Sequence, residues 1–271
     1  MKRLLAGFAV LCMVTVTAGL TTSTPVSAGV PGFTTVTAVN AYSFAGGQLF
    51  DSTFCIDGVD KADLTTEQTS PPFTLAAGSV TVDFFANGTT TCDTGTPDAT
   101  AVFELPDQGV VTLMAYWSGE GQAIAMLPAP LDCVAAGFGR LVVRNGADSK
   151  GGVIDLHGVG PDGISHLLVS NVAAGTQGMA DISVGHYTDV VATEAGTLNQ
   201  VALLGNVDIP VNSSTYEYVY GGNDGAPGSF AGGGAELDPC AVVTTTTTTA
   251  PATTTTTTAA PAVQATPAFT G

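Results

Sequence analysis

The sequence predicts an all-β protein built from two tandem antiparallel β-sandwiches, and three observations carry that expectation. Short runs rich in Val, Thr, Ile, Phe and Tyr alternate with Gly, Pro, Asn and Asp clusters from Phe33 to Cys240. No window there holds an apolar stripe at helical spacing, and the chain's 34 glycines would weaken any helix. Segments also recur in order about 105 residues apart, which marks an internal duplication. Strands so spaced, with no helices between them, favour antiparallel sandwiches over a parallel α/β sheet.

Residues 1–28 read as a signal peptide. Lys2 and Arg3 form a positive start, Leu4 to Val16 is nearly all apolar, and Val26-Ser27-Ala28 is an A-x-A-like cleavage site, with the cut after Ala28. The apolar run is short for a retained anchor, and small residues follow it rather than a second charge cluster. Leu11 precedes Cys12 where a lipoprotein site wants a small residue. No other stretch approaches the roughly 18 to 20 apolar residues of a membrane span. Cleavage would remove two of six basic residues from a chain already at net charge −17. That sign repels phosphate backbones and anionic lipid heads, so nucleic acid is excluded as a partner.

Residues 30–132 and 133–243 are the two sandwich repeats. Thr35–Asn40, Ser79–Ala86 and Val110–Trp117 are the clearest strands of the first, and Leu141–Asn145, Tyr187–Ala192 and Thr215–Tyr220 of the second. Val36-Thr-Ala-Val-Asn40 returns as Leu141-Val-Val-Arg-Asn145, and Phe54-Cys-Ile-Asp-Gly58 as Ile154-Asp-Leu-His-Gly158. The run Leu75 to Val82 returns as Ile182 to Asp189, and Phe103-Glu-Leu-Pro106 as Val207-Asp-Ile-Pro210. Gly78 and Gly185 sit where a loop enters a strand, a place that rewards positive φ or close backbone approach. Pro106 and Pro210 precede strands, where a fixed φ and a missing donor are tolerated. Tyr216, Tyr218 and Tyr220 alternate, so their rings share one face and predict core or cross-strand packing ahead of a sugar-stacking platform.

Four cysteines remain after cleavage: Cys55, Cys92, Cys133 and Cys240. An even number in an exported chain reads as two disulfides, with three connectivities open. Placement within the repeats predicts Cys55–Cys92 inside the first and Cys133–Cys240 clamping the two ends of the second. No C-x-x-C occurs, so a zinc ribbon or redox motif has no support.

From Thr244 to Gly271 the chain is two threonine runs set in Ala and Pro. Such a segment has too few large apolar groups to offset ordering entropy, so a disordered stalk is expected, of the kind that often carries O-glycans. Its end, Pro267-Ala-Phe-Thr-Gly271, resembles the Leu-Pro-x-Thr-Gly signals of cell-wall sorting, in which Thr270 would become the attachment point and Gly271 would leave. Pro267 replaces the usual Leu, and no apolar segment or basic tail follows, so wall sorting of a longer parent chain and free secretion both stay open.

A strand ending in Asn, then Gly152-Gly-Val-Ile-Asp-Leu-His-Gly158, Ile182-Ser-Val-Gly-His-Tyr187 and Tyr216-Glu-Tyr-Val-Tyr220, resembles the bacterial domain of unknown function 4397. The first repeat follows the pattern more loosely, with Ser79-Val80 where Gly-x-Tyr is usual and Gly46 to Phe54 inserted. The resemblance covers most of Val30 to Cys240. It implies an extracellular pair of Ig-like sandwiches, often on bacterial surfaces, and brings no catalytic residues.

The search for chemistry returns little. There is no G-x-S-x-G, H-E-x-x-H, P-loop or G-x-G-x-x-G. His157, His166 and His186 fall on different elements, and no cofactor is implied. Asp57, Asp60 and Asp63 offer oxygens to Ca²⁺, but their i, i+3, i+6 spacing, with Lys61 inside it, reads as a solvated turn. Asn223-Asp-Gly225 is likewise a turn. The expectation is a secreted or cell-surface, non-enzymatic protein whose partner is a protein or glycan of the envelope. A glycan- or Ca²⁺-binding module is the alternative, and a hydrolase the third reading.

Overall fold

The computed structural model describes residues 31–42, 51–86, 92, 94–147, 152–221, 228–231 and 236–237. The chain divides into Met1–Ala241 and Val242–Gly271, and the architecture below belongs to the first unit. The expectations for Ala28, Asn223, Cys240, Thr270, Gly271 and the threonine-rich stalk lie outside the described residues.

Every regular element among the described residues is a strand. The first half holds β1 (Phe33–Asn40), β2 (Asp51–Ile56), β3 (Val59–Thr65), β4 (Phe73–Ala76), β5 (Gly78–Ala86), β6 (Ala99–Leu105), β7 (Val110–Trp117) and β8 (Gln122–Pro128). The second holds β9 (Phe138–Gly146), β10 (Val153–Val159), β11 (Ser165–Ala173), β12 (Thr176–Ser183), β13 (Gly185–Glu194), β14 (Gln200–Ile209), β15 (Ser213–Tyr220) and β16 (Gly228–Ala231), with β17 (Glu236–Leu237) added on β15. The first half forms sheets β4-β1-β7-β8 and β3-β2-β5-β6, and the second forms β12-β9-β15-β16 and β11-β10-β13-β14. The second pair is the first with each strand eight places further along the chain.

Pairing is antiparallel throughout these sheets except at β1–β7 and β9–β15, which are parallel. The exception follows from the order. Successive strands reverse direction, so an odd strand beside an even one is antiparallel. Along these strand orders only these two contacts place odd beside odd; the two-residue β17, off that path, pairs antiparallel with β15.

Each half is a sandwich because both of its sheets feed one core. Val36, Leu113 and Ala115 from one sheet meet Phe54, Val82 and Phe84 from the other. In the second half Leu141, Val143 and Val219 meet Leu156, Val190 and Ile209. A third cluster joins the halves: Val39, Met114 and Leu127 pack against Val142, Tyr216 and Tyr218. Sheet β4-β1-β7-β8 therefore lies face to face with sheet β12-β9-β15-β16, and β1, β7, β9 and β15 are covered on both faces. That double burial explains the continuous apolar runs Val110-Val-Thr-Leu-Met-Ala and Leu141-Val-Val, which show no polar alternation. The halves approach closely. A Cβ on Gly146 would stand 2.7 Å from the Ala41 methyl, and one on Gly175 2.4 Å from the Tyr116 ring.

Several repeat positions do the same work twice. Asn40 and Asn145 are both fully buried at the ends of equivalent strands. The Asn40 Oδ1 accepts the Tyr42 N–H (3.2 Å), while its Nδ2 donates to Ser52 Oγ (2.9 Å) and more distantly to the Leu64 carbonyl (3.5 Å). The Asn145 Oδ1 accepts the Ala147 N–H (2.9 Å), and its Nδ2 donates to the carbonyls of Val172 (2.9 Å) and Gly152 (3.2 Å). Each asparagine thus caps the end of its strand and ties it to the facing sheet. Gly78 (φ 119°) and Gly185 (φ 147°) both take the positive φ their pattern predicts.

Between the halves, Arg140 holds the connecting segment. Its guanidinium bonds both carboxylate oxygens of Asp181 (2.7 and 3.3 Å) and donates to the carbonyls of Asp132 and Cys133. Burial alone would raise the Asp181 pKa; hydrogen bonds from Arg140 and the Ala135 N–H, with the Arg140 charge, outweigh it and leave it lowered.

Candidate functional site

The join between the two sandwiches contains a polar pocket of about 150 Å³ built around one arginine. Arg144 lies on β9, whose residues alternate between the second core and the interface. Leu141 and Val143 take the core side, so Val142 and Arg144 face the first half. The side chain is buried, with the residue 3% exposed. Its Nε donates to Gln177 Oε1 (3.1 Å), and its Nη1 donates to Thr112 Oγ1 (2.7 Å) and Tyr218 Oη (2.6 Å). Gln177 in turn donates to the Pro128 carbonyl (2.7 Å), so the arginine network spans β7, β8, β9, β12 and β15. The guanidinium carbon sits 4.6 Å from the Tyr216 ring centre and 5.5 Å from that of Tyr218, within cation–π range.

None of these partners is a carboxylate. The ion pairs among the described residues are Arg140–Asp181, His166–Asp162 and His186–Asp208. Arg144 Nη2 makes no hydrogen bond among the described residues, and the arginine lines the pocket with Thr37, Thr69, Ser70 and Thr112. The Ser70 hydroxyl oxygen accepts the Ala38 N–H (2.9 Å), which leaves its proton to donate. Chemically this is a set of donors around a fixed positive charge.

A second, larger cleft of about 380 Å³ opens at the edge of the second sandwich. Phe138, Pro161, Leu167 and Val184 give it apolar walls, with Asp162 and His166 at its rim. The Asp162 carboxyl is lowered by its hydrogen bond to His166 and by the Ile164 N–H.

The residues singled out in the sequence scatter. Cys55 and Cys92 form the expected disulfide. Cys133 is also disulfide-bonded, and Cys240, its predicted partner, lies outside the described residues. In the second half Asp155 occupies the repeat position of Cys55, and its carboxylate accepts the N–H groups of Gly196 and Asn171. One half therefore fastens its loop covalently and the other by hydrogen bonds. His157, His166 and His186 lie on β10, β11 and β13; His166 meets Asp162 and His186 meets Asp208, while His157 Nε2 is buried without a partner among the described residues. Asp57 accepts the Thr81 N–H at a hairpin, and Asp63 accepts the Thr53 hydroxyl. Asp60 is raised by burial and by the charge of Asp63. Among the described residues no group of three His, Cys, Asp or Glu is placed to hold a metal. Tyr216 and Tyr218 are buried in the join, so their stripe packs and does not form an exposed sugar platform.

Sequence reasoning passed over Arg144 and Glu217. The signal for Arg144 was present: a charge inside an apolar strand, at the repeat position of Val39. Glu217 sits between two tyrosines, 5% exposed, and burial pushes its carboxyl up to about 7.

No family model and no curated protein matches the chain. Among solved structures it is similar to the Bacillus anthracis TIE protein, at 12% identity and TM-score 0.22, over 70% of this chain and 33% of that one. It is similar also to a leucine-rich repeat protein from Bacteroides thetaiotaomicron, at 10% identity and TM-score 0.19, over 68% of this chain and 26% of the other. The chain thus spans about a third or less of either, and likenesses at these scores carry no argument.

Proposed function

We propose that this chain is an extracytoplasmic, non-enzymatic interaction protein of a bacterium, a duplicated Ig-like sandwich pair of the domain of unknown function 4397 type, held out on a threonine-rich stalk. The observation that carries the reading is the Cys55–Cys92 disulfide in a chain that starts with an export-type segment. Disulfides persist in oxidising compartments and are rare in the reducing cytosol. No helix among the described residues is long and apolar enough to cross a membrane. The face-to-face join supports display of a rigid body: it sets the two sandwiches as one block instead of two beads on a linker.

The test is fractionation of the native host with mass spectrometry of the mature termini. The expected product starts at Gly29 and carries hexose on the threonine runs. A cytoplasmic product that retains Met1 overturns the reading. A product in the medium with Gly271 intact removes wall sorting and keeps secretion.

A further inference from the structure

The Arg144 pocket holds a buried positive charge with no carboxylate partner among the described residues. A guanidinium keeps its charge at physiological pH, and burying an ion without a counter-ion is costly unless hydrogen bonds or a ligand offset it. Here Nε and Nη1 are committed to Gln177, Thr112 and Tyr218, all neutral, while Nη2 is not hydrogen-bonded to any described residue. The chain carries 23 acidic residues and six basic ones, yet among the described residues no acid pairs with this arginine.

The surroundings select the sign and size of what fits. Thr37 and Thr69 have hydroxyls without hydrogen bonds among the described residues, and Ser70 has a proton to donate, so the wall facing the guanidinium is rich in donors. The Tyr216 and Tyr218 rings and Pro72 supply apolar wall. A volume of about 150 Å³ equals that of an engineered cavity that admits benzene. It excludes a folded partner or a polymer chain. The repeat sharpens the point: at the same position of the first half stands Val39, fully buried and apolar, so folding of the join does not itself require a charge there.

We propose that this pocket is a binding site for a small carboxylate, paired with Arg144 and held by the hydroxyls of Thr37, Thr69 and Ser70. A carboxylate accepts up to four hydrogen bonds in the plane that a guanidinium edge and flanking hydroxyls present. The negative charge of the whole chain opposes entry only weakly, because exposed charges beyond about 8 to 10 Å are screened at physiological salt. Inside the join, the local pair is screened much less. The assignment does not depend on where the chain resides, so its failure leaves the export reading standing.

Binding is measured on the intact mature chain by titration calorimetry and by thermal unfolding at constant ionic strength, with acetate, benzoate and glucuronate as probes and benzamide and sulfate as controls. A carboxylate at about 100 times its Kd shifts the folding equilibrium roughly a hundredfold. Arg144→Met should weaken its binding about 10- to 100-fold, as expected for loss of a charge-assisted hydrogen bond. Should that variant fail to fold, Thr37→Val with Thr69→Val leaves the arginine in place and should weaken binding up to roughly tenfold. Whichever carboxylate binds tightest identifies the flanking group the tyrosine wall prefers. Equal response to benzamide or to sulfate, no response to any carboxylate, or binding unchanged in the folded variants would overturn the proposal.

Discussion

Replacing Glu217 with Gln should stabilise the protein, and only above mildly acidic pH. Glu217 lies on β15 between the tyrosines that face the join, so its side chain points to the second core, beside the strands carrying Val143 and Ala231. No described residue offers its carboxylate a hydrogen bond, and burial raises its pKa from 4.5 to about 7. The folded protein therefore keeps a proton that the unfolded chain releases. Between about pH 4.5 and 7 the unfolded state binds fewer protons, so this residue makes stability fall as pH rises through that window. The full cost of ionising the buried carboxyl is about 3 kcal/mol, at 1.36 kcal/mol per pH decade. Glu217→Gln keeps the shape and removes the charge. It should match the parent near pH 4 and exceed it by up to about 3 kcal/mol near pH 8. Urea unfolding at a series of pH values measures this directly, followed by far-UV circular dichroism, with Trp117 fluorescence reporting the first half. Other carboxylates contribute equally to both proteins and drop out of the difference. Parallel stability curves from pH 4 to pH 8 would refute the reasoning, because they would mean the carboxyl is already solvated or paired.

Two further outcomes are expected. Cys55→Ala with Cys92→Ala opens a closed loop of 37 residues and should cost about 4 kcal/mol by the chain-entropy relation, read as a lower urea midpoint under non-reducing conditions, where the bond of Cys133 stays closed. Asn40→Ala and Asn145→Ala each strand buried groups at a strand end and should cost about 3 kcal/mol apiece; unequal losses, with one near zero, would show that the two caps are not equivalent.

The fold class was legible because its signals are local. Glycine at the start of β5 and β13, proline after β6 and β14, and asparagine at the end of β1 and β9 each encode a turn or cap within a few residues. The duplication repeats them, so each weak signal is read twice. The face-to-face join was not legible. Burial on both sides of β7 and β9 shows only as an absence of alternation, which a buried strand of any sheet would give equally. The tyrosine stripe was readable as packing but not as packing against the other repeat, since nothing in its spacing names a partner. Arg144 escaped for the same reason: its role depends on Thr112 and Gln177, which lie 32 and 33 residues away on strands from different halves.

Comparison of equivalent positions across the join shows where the two copies differ in chemistry. Thr112 and Tyr216, Met114 and Tyr218, and Tyr116 and Tyr220 hold matching places on β7 and β15, while Val39 and Arg144 match on β1 and β9. A join between two identical faces would place like against like, with either two valines or two arginines near its centre. Two buried arginines would repel and stay unpaired, and two valines would leave no polar feature. One arginine against hydroxyls and rings is the arrangement that keeps a single charge, fixes it from three sides and leaves one edge open. The second tyrosine set fits this account: Tyr218 accepts from Arg144, Tyr216 lies under its plane, and Tyr220 instead reaches Glu67 in the first half. Burial first, then the hydrogen bond and charge of Glu67, push the Tyr220 phenol up to about 12, so that bond keeps its proton on the tyrosine across the working pH range. The join is thus held by hydrogen bonds and aromatic packing, and among the described residues the arginine that faces its pocket has no carboxylate partner.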